Sequence, residues 1–314
     1  MNTTPKQNLN HIDHSYAINS SAIYNISTPF LLCRKNRTPG ALQVGRLVPR
    51  LIADFSGVAH SELTPLEGAW QDLYVSALIY DDFFDEKSIA NASSLRTVSH
   101  ELLYKSQNSI ISILNYPELV FNIIELYWNK MSFAMAHEKD TNIPKNEHIL
   151  KQANKCSLAL AMLRIAYHYL YKRDAPSNLI NSVNIFCSVA QFFDDVTDIE
   201  EDCKNGTINY LNSSFLPSKV DYTITSRLIK SELILSGRLI FYSKQVSSYI
   251  DNLRSLSFFE MPYVNTLLDN WQQSLISVIK HLTRTASSHK SNSHVVLDSD
   301  YLSNTYACFV KTSN

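Results

Sequence analysis

Two acidic clusters carry the chemistry available to this chain. The first is Tyr80-Asp81-Asp82-Phe83-Phe84-Asp85-Glu86, and the second is Gln191-Phe192-Phe193-Asp194-Asp195-Val196-Thr197-Asp198, with Asp202 one turn further on. Residues i and i+4 share a helix face, so Asp81 and Asp85 project together with Asp82 beside them. By the same spacing Asp194, Asp198 and Asp202 form a second ridge, flanked by Asp195. Like charges so placed destabilise a helix by roughly 0.2–0.5 kcal/mol per pair, and burying unpaired carboxylates is costly. Cations bridging the ridges would relieve both. Mg²⁺ suits the donors, because it takes a few carboxylates, keeps several waters and completes its shell with substrate phosphate oxygens. Tyr80, Phe83, Phe84, Phe192 and Phe193 would supply an apolar, aromatic cavity beside the metals, and aromatic faces stabilise a carbocation. A charged mouth over an apolar interior suits an allylic diphosphate. Acidic runs more often lie on solvated helix faces; what sets these apart is that two of them follow apolar helical runs.

The elements that must position these clusters are helices. The chain has only six glycines and ten prolines, and apolar residues recur at helical rather than alternating spacing. Pro65-Leu66-Glu67 reads as a helix start. From there Leu66, Ala69, Trp70, Leu73, Ala77 and Tyr80 form an apolar face ending in the first cluster. Further helices are expected over about 117–136, 146–172, 179–202, 223–248 and 264–286. The breaks between elements are Asn91-Ala92-Ser93-Ser94, Thr141-Asn142-Ile143-Pro144, Asp174-Ala175-Pro176 and Lys204-Asn205-Gly206. The expectation is one large all-α bundle over residues 22–286, preceded by a disordered segment (1–21) and followed by a loose polar tail (287–314).

Composition narrows the function classes. A hydrophobic share of 45% against 18% charged gives ample core for a soluble globular chain. A net charge of −1 gives no electrostatic footprint for nucleic acid. The longest apolar stretch, Leu158 to Tyr171, is interrupted by Arg164 and His168 and is too short to span a bilayer. The N-terminus lacks the basic and apolar regions of a secretory signal, and the five scattered cysteines form no Cys-x-x-Cys, so a cytoplasmic protein with reduced thiols is expected. His11 with His14, and His289 with His294, sit in polar ends and make poor zinc sites. His168, Trp70, Trp128 and Trp271 are most simply core residues. There is no glycine-rich phosphate loop, nucleophile elbow or HExxH.

At the two clusters the chain resembles the class I isoprenoid synthases, specifically the trans-prenyl diphosphate synthase branch. Leu66 to Glu86 is similar to that family's first aspartate-rich helix. Ala190 to Asp198 is similar to its second, Phe-Gln-x-x-Asp-Asp-x-x-Asp, with Ala190 in place of the leading Phe. Lys155, followed by Cys156-Ser157, stands near the family's diphosphate-binding lysine, and Lys204-Asn205-Gly206-Thr207 resembles the loop after the second motif. The resemblance spans roughly Arg46 to Leu211. It implies an isoprenoid synthase type I fold, a helical bundle around a deep apolar cavity, and Mg²⁺-assisted departure of diphosphate, with three Mg²⁺ ions. Asp81, Asp85 and Asp194 would carry most of the metal ligation and the catalytic step. Asp82, Asp195 and Asp198 would ligate metal or orient its ligands. Lys155, Lys204 and Arg46 would contact phosphate oxygens. Ser76, Ala77, Tyr80, Phe84, Phe192 and Gln191 would line the cavity. A homodimer is expected by analogy.

The acceptor side of the resemblance is eroded. Chain-elongating members carry Gly-Lys-Arg-x-Arg-Pro, where this chain has Gly45-Arg46-Leu47-Val48-Pro49-Arg50. Tyr74 replaces a histidine ahead of the first motif, and Ala90-Asn91-Ala92 stands where Arg-Arg-Gly usually follows it, leaving Arg96 as the nearby arginine. A second diphosphate needs several fixed cations. The first expectation is therefore a Mg²⁺-dependent terpene synthase acting on a fifteen- or twenty-carbon allylic diphosphate. The small residues Ser76 and Ala77 at the cavity floor favour the longer tails, although they equally permit close helix packing. A prenyl diphosphate synthase that rebuilt its acceptor site from Arg46, Arg50 and Arg96 is the second, and a non-catalytic partner subunit the third.

Overall fold

The computed structural model describes residues 40–85, 92–137, 149–205, 211, 233, 237–255 and 261–289. Among the described residues there are eight α-helices and no strand. In chain order they are α1 (Gly40–Ser56), α2 (Thr64–Asp85), α3 (Ala92–Leu114), α4 (Pro117–His137), α5 (Leu158–Tyr171), α6 (Ser177–Asn205), α7 (Arg238–Ser255) and α8 (Pro262–His289). A short 3₁₀ turn, His60–Leu63, leads into α2, and a longer 3₁₀ segment, Ile149–Cys156, leads into α5. No helix among the described residues is long and apolar enough to cross a membrane.

The interrupted apolar run is the centre of the bundle. Leu158, Leu160, Ala161, Met162, Leu163, Ile165, Ala166 and Tyr167 of α5 are all buried. A helix apolar on nearly every side must be surrounded by others, and α1, α2, α3, α4 and α6 all pack on α5. The helices that carry the two acidic clusters, α2 and α6, thus share α5 as a common support. Arg164, midway along the helix, and His168, one turn later, face Asp174: Arg164 Nε donates to Asp174 Oδ1 at 2.7 Å and His168 Nε2 lies 4.0 Å from the same oxygen. Lys172, at φ 53°, turns the chain out of the helix and returns its N–H to the His168 carbonyl at 3.1 Å.

The periodicity predicts one helix over 146–172, and the structure divides it. The 3₁₀ segment ends at Cys156, and Ser157 Oγ donates to the Tyr127 carbonyl of α4 at 2.7 Å. That hook fixes the junction on α4, while the 3₁₀ segment itself packs on both α6 and α4. The breaker Asn91-Ala92-Ser93-Ser94 also falls differently, since α3 begins at Ala92. The buried face of α3 includes Ser99 and Ser106 beside Leu102, Ile110 and Leu114, so its apolar stripe is diluted by small polar residues. These small residues let α2 and α3 approach closely. Ser76 Oγ donates to the Ser99 carbonyl at 2.7 Å, and Ser99 Oγ donates back to the Ser76 carbonyl at 3.0 Å.

Two further ties close the bundle. Asp54, near the end of α1, accepts the backbone N–H groups of Tyr263 and Val264 and so caps the start of α8. Aromatic rings join α1, α6 and α8: Phe55 meets Phe186 edge-on, and Trp271 packs on both Phe186 and Phe193. Of the expected helix over 223–248, the described part is residue 233 and residues 237–248. The proposed terminal segments lie outside the described residues, apart from 287–289 at the end of α8.

Candidate functional site

The second cluster is built around Gln191. This side chain is 4% exposed on α6, and its amide Nε2 donates to Asp194 Oδ2 at 3.0 Å and to Asp195 Oδ1 at 2.9 Å. A carboxamide has two N–H bonds on one nitrogen, so one neutral group serves both carboxylates, at i+3 and i+4 on the helix. The two acids are held very differently. Asp195 is 3% exposed, whereas Asp194 is turned to the surface. Phe192 and Phe193 are buried beside them in edge-on contact at 5.7 Å between ring centroids, and Phe193 stacks on Trp271. Both rings are part of the hydrophobic core.

The 3₁₀ segment bearing Lys155 meets α6 at this point. Cys156 Sγ donates to Gln191 Oε1 at 3.7 Å, and Cys187 Sγ, one turn before Gln191, donates to the Cys156 carbonyl at 3.8 Å. The neighbouring Cys156 side chain, aided by burial, pushes the Cys187 thiol well above its usual pKa. Lys155 is half-buried next to Cys156. The 3₁₀ segment that carries Lys155 therefore meets the second aspartate motif through Cys156 and Gln191.

The first cluster ends α2. Tyr80 is half-buried, its ring 5.3 Å from that of Trp128 on α4, and Asp81 is half-buried at the next position. The side chains of Asp82, Phe84 and Asp85 lie outside those described, as do those of Asp198, Arg46 and Lys204, although the backbone of all six is helical. Ala77 is 7% exposed. Ser76, fully buried, takes part in the paired bonds with Ser99, which is the close-packing role that small residues at this point allow. Earlier on α2, acids are answered by protein partners. Asp72 meets Lys105 Nζ at 3.1 Å, and Glu67 Oε1 lies 2.7 Å from His60 Nε2. Burial raises the Asp72 pKa despite the counteracting bond to Lys105.

Among the described residues no three His, Cys, Asp or Glu side chains stand together as a ready metal site. Asp194 and Asp195 supply carboxylate oxygens at one point, and the Cys156 thiol on the far side of Gln191 is turned to the amide oxygen. Such all-oxygen donors fit Mg²⁺ rather than zinc. One oxygen of each acid is engaged by Gln191, which fixes both carboxylates in orientation. Arg50, an alternative cation for a second diphosphate, lies over the Tyr263 ring at 5.4 Å.

Sequence reasoning placed Gln191 on a cavity wall and gave Cys156 no role. Their i+3 and i+4 relation to the aspartates was available as a signal for Gln191; the contact with Cys156 depends on tertiary packing alone. No protein-family model, no curated protein and no solved structure matches this chain.

Proposed function

We propose that the protein is a Mg²⁺-dependent class I terpene synthase that ionises a fifteen- or twenty-carbon allylic diphosphate and releases a terpene hydrocarbon or alcohol plus diphosphate. The observation that carries this reading is the hydrogen-bonded chain from Cys156 through Gln191 to Asp194 and Asp195 in an all-helical bundle, with Lys155 adjacent to Cys156 in sequence. In this reading Asp194, Asp195 and Asp198 on α6, with Asp81, Asp82 and Asp85 on α2, hold Mg²⁺, which supplies charge neutralisation for the departing diphosphate. Lys155, Arg46 and Lys204 bind phosphate oxygens. Phe192, Phe193 and Tyr80 exclude water and present aromatic faces to the cation left behind. Gln191 keeps Asp194 and Asp195 aimed. A homodimer belongs to the same proposal.

Ionisation without an acceptor is favoured over chain elongation by the eroded Gly45–Arg50 motif, because a second diphosphate needs several fixed cations. The test is incubation of the purified protein with Mg²⁺ and farnesyl or geranylgeranyl diphosphate, with and without isopentenyl diphosphate. Hydrocarbon or terpene alcohol from the allylic substrate alone is the expected product. Longer diphosphates appearing only with isopentenyl diphosphate would replace this reading by prenyl transfer. Absence of turnover in both arms, with wild type and Asp81→Ala indistinguishable, would leave a non-catalytic partner.

A further inference from the structure

The structure assigns Cys156 as a positioning residue that orients the Gln191 carboxamide and, through it, the Asp194–Asp195 carboxylate pair. The inference deepens the proposed site, and its metal-binding consequence rests on that reading. The side-chain contacts themselves do not.

Gln191 is buried, so both ends of its amide need partners. The Nε2 end has two, Asp194 and Asp195. The Oε1 end faces the Cys156 thiol at 3.7 Å, which is ordinary length for a sulfur donor. A flipped amide would aim Oε1 at two carboxylates and Nε2 at a weak acceptor, so the thiol and the acids select the same orientation. Loss of the thiol removes one of these constraints and leaves a buried carbonyl oxygen without that donor.

Cys156 is in turn fixed from two sides. Its carbonyl accepts the Cys187 thiol at 3.8 Å, from the turn of α6 just before Gln191. Its neighbour Ser157, fully buried, hooks onto the Tyr127 carbonyl of α4 at 2.7 Å. The 3₁₀ segment is therefore held between α4 and α6, and its last residue touches the amide that holds the two acids. Because Lys155 precedes Cys156, the same fixation sets the height of the lysine along α6. A serine at 156 would keep a donor on a shorter side chain, whereas an alanine would remove it. That difference separates orientation from simple space filling.

The experiment compares wild type, Cys156→Ser and Cys156→Ala in the full chain, with selective ¹⁵N labelling of glutamine side chains and Gln191→Leu to assign the resonance. A second arm titrates Mn²⁺ in the presence of inorganic diphosphate. In wild type the Gln191 carboxamide protons are expected to be slowly exchanging and shifted downfield by their carboxylate partners. Cys156→Ala is expected to move them towards free-amide positions and speed exchange severalfold, with Cys156→Ser restoring most of the wild-type signal. Mn²⁺ affinity should fall about tenfold in Cys156→Ala, the lower end of the effect expected when a group behind a metal ligand is lost. An unchanged Gln191 resonance in Cys156→Ala overturns the assignment whatever the metal arm shows. Failure of wild type to bind Mn²⁺ with diphosphate would overturn the metal reading of the site, while the amide arm would still decide the role of Cys156.

Discussion

Removal of the Asp54 carboxylate should release α8 from α1. Asp54 is 6% exposed, and its Oδ2 accepts the N–H groups of Tyr263 at 2.6 Å and Val264 at 2.9 Å. These belong to the first turn of α8, where backbone donors have no partner within the helix. Loss of a cap acceptor costs about 1 kcal/mol and up to about 2. A bond to a charged acceptor nets about 1.5–3 kcal/mol, but burial of this carboxylate takes back part of that gain. Burial pushes its pKa up, and the two backbone bonds and nearby His60 pull it down by less. Asp54→Ala should therefore cost about 2 kcal/mol, the upper end for a cap. Asp54→Asn keeps an acceptor and removes a charge that burial disfavours, so near neutrality it should cost less than alanine. At the few degrees per kcal/mol typical of larger domains, the melting temperature should drop by about 4–8 °C for alanine and by less for asparagine. The assay is urea unfolding with constant slope, repeated across acid pH. A raised native pKa means that the native state binds the Asp54 proton more tightly than the unfolded chain. That increment is fully present below the ordinary value of 3.8 and is lost as pH rises through the raised native value. The advantage of wild type over Asp54→Asn should thus be largest in acid and shrink towards neutrality. A loss below about 0.5 kcal/mol for Asp54→Ala, within the range of an ordinary surface change, would refute the capping argument. A wild-type advantage over Asp54→Asn that grows with rising pH would refute the sign.

Three other outcomes follow from the same geometry. Ser76→Ala should lose about 1 kcal/mol with the Ser99 bond, and Ser76→Leu about 1–3 kcal/mol or more by forcing α2 and α3 apart, both read by urea unfolding. Asp72 and Asp174 should respond to acid in opposite directions. Burial raises the Asp72 pKa, so its contribution fades as pH rises through the native value, whereas the Arg164 hydrogen bond holds Asp174 below 3.8, so its contribution is present above that value and lost as pH falls through the native one. Stability–pH curves of Asp72→Asn and Asp174→Asn, each subtracted from wild type, would show these slopes. Gln191→Leu should weaken Mn²⁺ binding with inorganic diphosphate by about 10–100-fold, measured by isothermal titration, and an unchanged affinity would remove Gln191 from the site.

Which elements were visible in the sequence follows from where their specifying contacts lie. The helices bearing the acidic clusters were visible because Leu66, Ala69, Trp70 and Leu73 on α2, and Val189, Phe192 and Phe193 on α6, are local apolar patterns that the structure buries. The central place of α5 was implicit in its nearly continuous apolar run. By contrast, α3 buries Ser99 and Ser106 along with its leucines and isoleucines, so its period is blurred by residues whose role is close approach to α2. The break at Ser157 was invisible because helical periodicity runs through it, and the partner that fixes the break is a carbonyl on α4. Asp54 carried no local signal at all, since its partners are the amides of Tyr263 and Val264, far along the chain.

The candidate site divides along the same line, and the division changes what its charges mean. From sequence, stacked aspartates demand cations. In the structure a neutral amide already answers part of that demand: Gln191 donates one hydrogen to each of Asp194 and Asp195, offsetting their repulsion within the chain itself. Like-charge stacking is therefore a weaker argument for metal at α6 than spacing alone suggests. The stronger argument is directional. The clamp engages Oδ2 of Asp194 and leaves Oδ1 outside it, on a side chain turned to the surface, while Asp195 stays buried behind. Asp72 differs in position rather than in pairing: its side chain is buried and Lys105 reaches it from the surface, whereas Asp194 is held on one oxygen by a neutral amide and is itself exposed.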